Sequence, residues 1–75
     1  MTVKQGELVR FLKRHGRLEY NGRCLVAPTG EMHCMAWNWL MRAAASGLIK
    51  HTTEPAWPGA PANCFRSYFE ATHAT

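Results

Sequence analysis

The stretch W-L-M-R-A-A-A-S-G-L-I at positions 39–49 constrains the fold more than any other part of the chain. Its apolar residues recur at helical spacing around Leu40, and Gly47 is a residue type that commonly ends a helix. We predict a helix over residues 31–46, capped by Thr29, with Leu40 at the centre of its buried side. A helix this apolar needs cover on most of its circumference, so the core is expected to form around it.

The rest of the chain predicts one more helix and several short strands. Hydrophobic spacing and the glycine at position 16 indicate a first helix over residues 4–16. Prolines and a glycine punctuate the last third and indicate a loop between two extended segments. The predicted elements after the first helix are a strand at 18–20, a strand at 48–53, a loop at 54–62, a strand at 63–71 and a frayed tail at 72–75.

Residues 21–27 allow two interpretations. Asn21-Gly22 is a strong signal for a two-residue hairpin turn, which would pair Leu18–Tyr20 with Arg23–Val26. Alternatively, Asn21 caps a short helix that ends before Pro28. Local propensity favours the hairpin, because glycine and valine are poor helix formers.

The net charge of +4 is concentrated in the first third of the chain. Arg10, Arg14 and Arg17 fall on one face of the first predicted helix, with Lys13 beside them. From Cys24 onward the basic and acidic residues cancel. A basic patch of this kind suits nucleic acid, and a solubilising surface is an equally good explanation.

The three cysteines, Cys24, Cys34 and Cys64, are widely spaced and odd in number. We expect free thiols and a soluble cytoplasmic protein, since no signal-like or membrane-spanning segment is recognisable. No spacing typical of zinc ligands occurs, so no metal or cofactor is expected. The chain contains no aspartate and its five glutamates are scattered, which argues against an enzyme.

The order of predicted elements, with S-G-L-I at 46–49 and G-R-L-E-Y at 16–20, resembles the winged helix-turn-helix family. Leu40 and Ala36 match the inward side of the recognition helix, and Gly30 lies near the turn glycine of that family. The resemblance implies a single α+β winged-helix-like domain over residues 1–75. Such a domain has two main helices, a C-terminal two-stranded wing and a short N-terminal strand or hairpin, the hairpin standing in for the second helix.

The resemblance also implies a small transcriptional regulator that binds duplex DNA. As a small basic protein, the chain is also similar to the accessory proteins of phages and other mobile elements. Asn38 and Arg42 lie one helical turn apart and can bond adenine and guanine, although they also suit a solvated stripe on a core helix. Basic residues on the first helix and near the wing are the expected phosphate contacts. These are Arg10, Lys13, Arg14, Arg17, Arg23, Lys50 and Arg66.

A protein-interaction module is the alternative function. The chain has three tryptophans, Trp37, Trp39 and Trp57, which is a large aromatic mass for a core of this size. Tryptophan is enriched at interface hot spots. A surplus tryptophan could serve a homodimer, or an inhibitor that docks on a host or bacterial enzyme without binding nucleic acid. Burial of all three tryptophans in the core is the competing explanation.

Overall fold

The computed structural model describes residues 2–72, which form two helices and one five-stranded antiparallel sheet. The strand order is β3-β2-β1-β5-β4, so β1 is the central strand. The elements are α1 (Val3–His15), β1 (Leu18–Tyr20), β2 (Cys24–Val26), β3 (Met32–Cys34), α2 (Trp37–Ala45), β4 (Ile49–Pro55) and β5 (Phe65–Ala71). The predicted winged-helix architecture with a separate two-stranded wing is therefore wrong.

The first helix lies within one residue of its predicted bounds. Thr2 and Gln5 form a reciprocal capping box at its start, which satisfies two backbone N–H groups that lack helical partners. At its end, Gly16 has φ of 80° and donates its backbone N–H to the Leu12 carbonyl. Leu8 and Leu12 are fully buried and fix the helix against the sheet.

The hairpin interpretation of residues 21–27 is confirmed, and the helical alternative is wrong. The Asn21 side-chain oxygen accepts hydrogen bonds from the backbone N–H groups of Arg23 and Cys24, at 2.9 and 2.8 Å. Gly22 has φ of 100°, a conformation that L side chains rarely adopt. The register differs from the predicted one: Tyr20 lies opposite Leu25, whereas a two-residue turn at Asn21-Gly22 would put it opposite Arg23.

The predicted helix over 31–46 is wrong at its start. Residues 32–34 form strand β3, and α2 begins only at Trp37. A turn at Gly30, whose φ is 92°, reverses the chain so that the Ala27 N–H donates to the Glu31 carbonyl at 2.8 Å. The residue types at 31–36 are compatible with a helix by propensity. In the structure, however, the backbone hydrogen bonds of this segment are made by pairing with β2 in the sheet. Thr29 accordingly accepts from the Glu31 N–H in this turn and caps no helix.

Cys24 and Cys34 are joined by a disulfide, which corrects the expectation of three free thiols. They are direct partners in the β2–β3 register, so the hairpin itself brings them together. Ten positions separate them in sequence, and without the β2–β3 pairing nothing in the sequence predicts that they meet. Cys64 is free. Disulfides are rare in reducing compartments, so the cysteines no longer support the predicted cytoplasmic location.

The end of α2 follows the prediction closely. The Gly47 N–H donates to the Ala44 carbonyl and the Leu48 N–H to the Ala43 carbonyl, both at 3.1 Å, which is the Schellman pattern. Gly47 has φ of 85°. Leu40 is 0% exposed, which confirms its predicted place at the centre of the buried side. Ala36, which was expected to face inward, is exposed at the N-cap position.

Strands β4 and β5 pair along their whole length, from Ile49 opposite Ala71 to Pro55 opposite Phe65. The predicted wing strands are therefore paired as expected, with ends displaced by one or two residues. β5 also pairs with β1, which places this hairpin inside the sheet. The Thr72 hydroxyl donates to the Leu48 carbonyl, so the chain is bonded at that point. The rest of the predicted frayed tail, 73–75, lies outside the described residues.

Both helices cover the same face of the sheet. Strand alternation puts Leu18, Leu25 and Phe69 on one face. Leu8 of α1 and Leu40 of α2 belong to the same core cluster as these residues. Neither helix within residues 2–72 has both the length and the apolar character needed to cross a membrane.

Candidate functional site

The sheet face that points away from the helices, called here the outer face, carries its own counterions. Arg17 Nη2 lies 2.8 Å from Glu54 Oε1. Arg66 Nε lies 3.7 Å from Glu19 Oε2, and Lys50 Nζ lies 3.8 Å from Glu70 Oε1. Three basic side chains are thus matched by three carboxylates, and the outer face is electrically neutral.

Arg17 is held on the outer face by several contacts at once. Its guanidinium carbon lies 3.9 Å from the centroid of the Tyr68 ring, a cation–π geometry. Its Nε and Nη2 atoms lie 3.4 and 3.3 Å from the Thr52 hydroxyl oxygen. A side chain engaged in this way is poorly available to a phosphate.

The positive charge of Arg66 is also compensated on the outer face. Hydrogen bonding to Tyr68 and then the negative charge of Glu19 raise its pKa above the ordinary value. The prediction that Arg17, Lys50 and Arg66 contact phosphates stays a prediction. Their intramolecular partners make them the weakest members of the predicted set.

The positive excess therefore lies on the helices and the turns. The chain has nine basic and five acidic residues, and the outer face holds three of each. The rest of the chain has six basic residues and two acidic ones, Glu7 and Glu31. Their difference is the whole net charge of +4. These six are Lys4, Arg10, Lys13, Arg14, Arg23 and Arg42.

The exposed side of α1 presents Arg10, Lys13 and Arg14 at helical spacing. Arg14 shares the Glu31 carboxylate with His15, at 3.6 and 3.2 Å, which ties the end of α1 to the β2–β3 turn. Within residues 2–72, Arg10 and Lys13 have no carboxylate within ion-pair distance. Their charges are directed to solvent or to a ligand.

The exposed side of α2 presents Asn38 and Arg42 one turn apart. Arg42 makes no ion pair in the part of the chain that the structure describes. The opposite side of the helix buries Leu40 and Ala43. The polar stripe predicted from the sequence is therefore solvent-facing, and the two side chains are free to contact a ligand together.

Two further basic residues flank the start of α2. Lys4 lines a cleft of about 360 Å³ with Ala36 and Trp39, so the start of α1 lies beside the start of α2. The Arg23 carbonyl accepts a hydrogen bond from the Met35 N–H at 3.0 Å, which brings the β1–β2 turn to the same place. Sequence reasoning missed Lys4, because only the packing of the two helices reveals its position.

We define the helical face as the exposed basic residues of α1 and α2 together with Asn38 and Arg23. Its members form two stripes, one on the exposed side of each helix. The cleft and the β1–β2 turn connect the two stripes at the start of α2. The helical face comprises Lys4, Arg10, Lys13, Arg14, Arg23, Asn38 and Arg42. The exposed Glu7 of α1 lies on the same stripe as Arg10 and Arg14 and offsets one of these charges.

The three tryptophans have different environments. Trp37 is 39% exposed, and its ring centroid lies 5.8, 5.4 and 6.0 Å from those of Tyr20, His51 and Phe69. Trp39 is half-buried against the core. Trp57 is 53% exposed in the loop between β4 and β5. Burial of all three in the core is therefore wrong for Trp57, which leaves it available for an interface.

Comparisons of this chain with protein-family models, with curated proteins and with solved structures found no match. Among residues 2–72, no three His, Cys, Asp or Glu side chains are grouped so that they could hold a metal ion. The charges, exposures and contacts of the helical face are therefore the basis for inferring function.

Proposed function

We propose that this protein binds duplex DNA through its helical face. The supporting observation is the charge distribution: the outer face of the sheet is neutralised by its own ion pairs, so the whole positive excess lies with the helices and turns. A surface with unpaired lysines and arginines attracts the phosphate backbone and releases its condensed counterions. The neutral outer face has no comparable attraction for a polyanion.

Within this proposal the two helices have different tasks. Arg10 and Lys13 on α1 contact phosphates, which orients the protein without reading sequence. Asn38 and Arg42 on α2 contact base edges in the major groove, where asparagine pairs with adenine and arginine with guanine. Helix α2 is nine residues long, so its exposed stripe spans only a few base pairs. Occupying a DNA site in this way is the action of a transcriptional regulator.

The proposal is tested by fluorescence anisotropy of a labelled mixed-sequence duplex over a series of salt concentrations. Roughly four to six phosphate contacts give a slope of log affinity against log salt of about −4 to −5. Replacing Arg10 or Lys13 by alanine should flatten that slope by about one unit each. Arg17→Ala is the matched control, since it removes the same charge from the outer face and should leave the slope unchanged.

Two results contradict the proposal. Absence of binding at low salt excludes DNA as the ligand. Equal effects of Arg10→Ala and Arg17→Ala show that binding follows net charge alone, with no contribution from a particular face.

A protein-binding role is the second candidate, and the β4–β5 loop favours it. Trp57 and Phe65 are 53% and 52% exposed, and Phe65 begins the strand that follows the loop. Exposed aromatic residues at a hairpin end suit a hot spot for a second copy of this chain or for another protein. This surface differs from the helical face, so the two functions are separable by mutation.

A further inference from the structure

The Cys24–Cys34 disulfide occupies a position from which it can be opened. The Met35 N–H donates to the Arg23 carbonyl on one side of the pair, so the cysteines form a non-hydrogen-bonded pair of the antiparallel ladder. Side chains of such pairs lie close together. Cys34 is exposed, whereas Cys24 is only 8% exposed. Cys34 also lines the cleft that contains Lys4 and Trp39, so a thiolate from solution approaches the disulfide from the Cys34 side.

Strand β3 is a short strand at the edge of the sheet. It is three residues long, and in the part of the chain that the structure describes it pairs with β2 alone. Its other contacts are peripheral: the His33 ring lies 5.4 Å from that of Phe11, and Glu31, just before the strand, is bonded to Arg14 and His15. Cys34 lies three residues before Trp37, where α2 begins. The disulfide therefore anchors the segment that leads directly into α2.

Helix α2 depends on that anchor because its own start is weak. Its N-cap residue, Ala36, makes no side-chain capping hydrogen bond, and the helix has only nine residues. Isolated helices of this length are not stable in water, so α2 depends on tertiary contacts. Its start is also held by the Tyr20 hydrogen bond to the Met35 carbonyl, by the aromatic packing of Trp37, and by Met35 and Trp39 against the core.

We propose that the Cys24–Cys34 pair is a redox switch that controls β3 and the start of α2. When the disulfide is intact, β3 is held on β2 and α2 is fixed on the sheet. When it is reduced, β3 separates from β2 and the first turn of α2 loosens, while α1 and the β1–β5–β4 part of the sheet keep their core. The fully buried Leu8, Leu12 and Phe69 hold α1 and β5 in place, which restricts the opening to this segment.

The reductant is a small thiol or dithiol. Its thiolate attacks the Cys34 sulfur and forms a mixed disulfide, and the Cys24 sulfur leaves with the electron pair and takes up a proton. A second thiol then attacks the mixed disulfide, which releases the Cys34 thiol and leaves the reductant as its own disulfide. Oxidation by a disulfide such as oxidised glutathione reverses both steps.

The switch has a consequence for DNA binding. This consequence rests on the proposed function. Asn38 lies on the first turn of α2 and Arg42 on the second, so loosening the start of the helix disrupts the stripe that the two side chains form. If the competent arrangement falls to about a tenth of the population, the apparent affinity falls about tenfold. The reduced form is accordingly the weaker DNA binder.

Hydrogen exchange followed by mass spectrometry on the full chain tests the switch without reference to DNA. The chain is equilibrated in glutathione buffers from fully oxidised to fully reduced. Exchange in residues 31–40 should rise by roughly tenfold or more on reduction, with little change in α1 and β5. Cys64→Ser should respond like the parent, because it keeps the disulfide. Cys24→Ser with Cys34→Ser should match the reduced parent and be insensitive to glutathione.

Unchanged exchange on reduction overturns the switch, and so does failure of the disulfide to form in oxidised glutathione. Loss of protection throughout the chain also overturns it, because the bond is then a general stabiliser. If the double variant does not fold, hydrogen exchange of the reversibly reduced parent still tests the switch. If residues 31–40 respond as expected but neither form binds DNA, the switch stands and the proposed DNA binding fails.

Discussion

The Tyr20 hydroxyl donates a hydrogen bond to the Met35 carbonyl oxygen at 2.7 Å, linking the central strand to the segment just before α2. This bond matters because Ala36 offers α2 no side-chain cap. The Tyr20 ring also packs near Trp37 and Phe69. One tyrosine thus joins the core, β3 and the start of α2.

Removing this hydroxyl is expected to weaken the fold. Tyr20→Phe keeps the ring and leaves the Met35 carbonyl without its partner, which costs about 1–3 kcal/mol in the free energy of unfolding. Urea denaturation followed by tryptophan fluorescence measures the loss. Tyr68→Phe is the control on the outer face and should cost less, since Tyr68 is half-buried and its hydrogen-bond partner Arg66 is exposed. Equal costs for both variants show that the Met35 bond has no special weight.

Truncating Leu40 tests where α2 is buried. Leu40 is fully buried, so Leu40→Ala leaves a cavity and lowers the free energy of unfolding by about 2–5 kcal/mol. Met32→Ala removes a comparable volume from a side chain that is 62% exposed and should change stability by less than about 0.5 kcal/mol. A Leu40→Ala variant that melts with the parent means that α2 packs on a different side.

Gly47 tests the helix end in isolation from packing. A Cβ added there meets no atom within 4 Å, so the cost of Gly47→Ala comes only from holding φ at 85°. We expect a loss of about 1–2 kcal/mol in the free energy of unfolding. Gly47→Asn should lose less, because asparagine tolerates this region better. A calorimetric melt in which alanine equals asparagine contradicts the Schellman ending of α2.

Arg42 and Arg14 should affect DNA binding in different ways. If α2 reads bases, Arg42→Ala relaxes the preference at one base position and costs about 1–3 kcal/mol there. Arg14→Ala weakens binding to all sequences alike and flattens the salt slope by about one unit. A randomised-duplex selection followed by affinity measurements distinguishes the two effects. Identical behaviour of both variants leaves only non-specific binding and removes α2 from base reading.

Trp57 should affect association without affecting the fold. Its side chain is 53% exposed in the β4–β5 loop, so Trp57→Ala should leave the melting temperature nearly unchanged. If this loop forms a homodimer contact, the variant shifts sedimentation equilibrium toward the monomer. Trp39→Ala is the contrasting variant, because Trp39 packs on the core and its loss should destabilise the fold. A parent chain that is monomeric throughout the concentration range would falsify the homodimer.

Local chemistry explains most of what could be predicted. The capping residues and Gly16 define α1, Asn21-Gly22 defines the first hairpin, and Gly47 defines the end of α2. Each of these signals acts within a few residues, through a turn conformation or a backbone hydrogen bond. The polar stripe of Asn38 and Arg42 was predictable for the same reason, since helical spacing alone places the two side chains together.

Pairing between distant segments was not predictable from such signals. The segment E-M-H-C-M-A at 31–36 suits a helix by propensity, and only its register with β2 makes it a strand that places Cys34 against Cys24.

For the charges too, one part follows from the sequence and another from the tertiary structure. Their number and signs are properties of the sequence, whereas the tertiary structure decides which are neutralised. Arg17 lies far from Glu54 along the chain, and the β4–β5–β1 arrangement brings them to 2.8 Å. The sequence by itself thus determined both ends of α1, the end of α2, the presence of the first hairpin and the excess of positive charge, because these depend on neighbouring residues. The tertiary structure decided the five-stranded sheet, the disulfide and the face that keeps the charge, because these depend on contacts between residues distant in sequence.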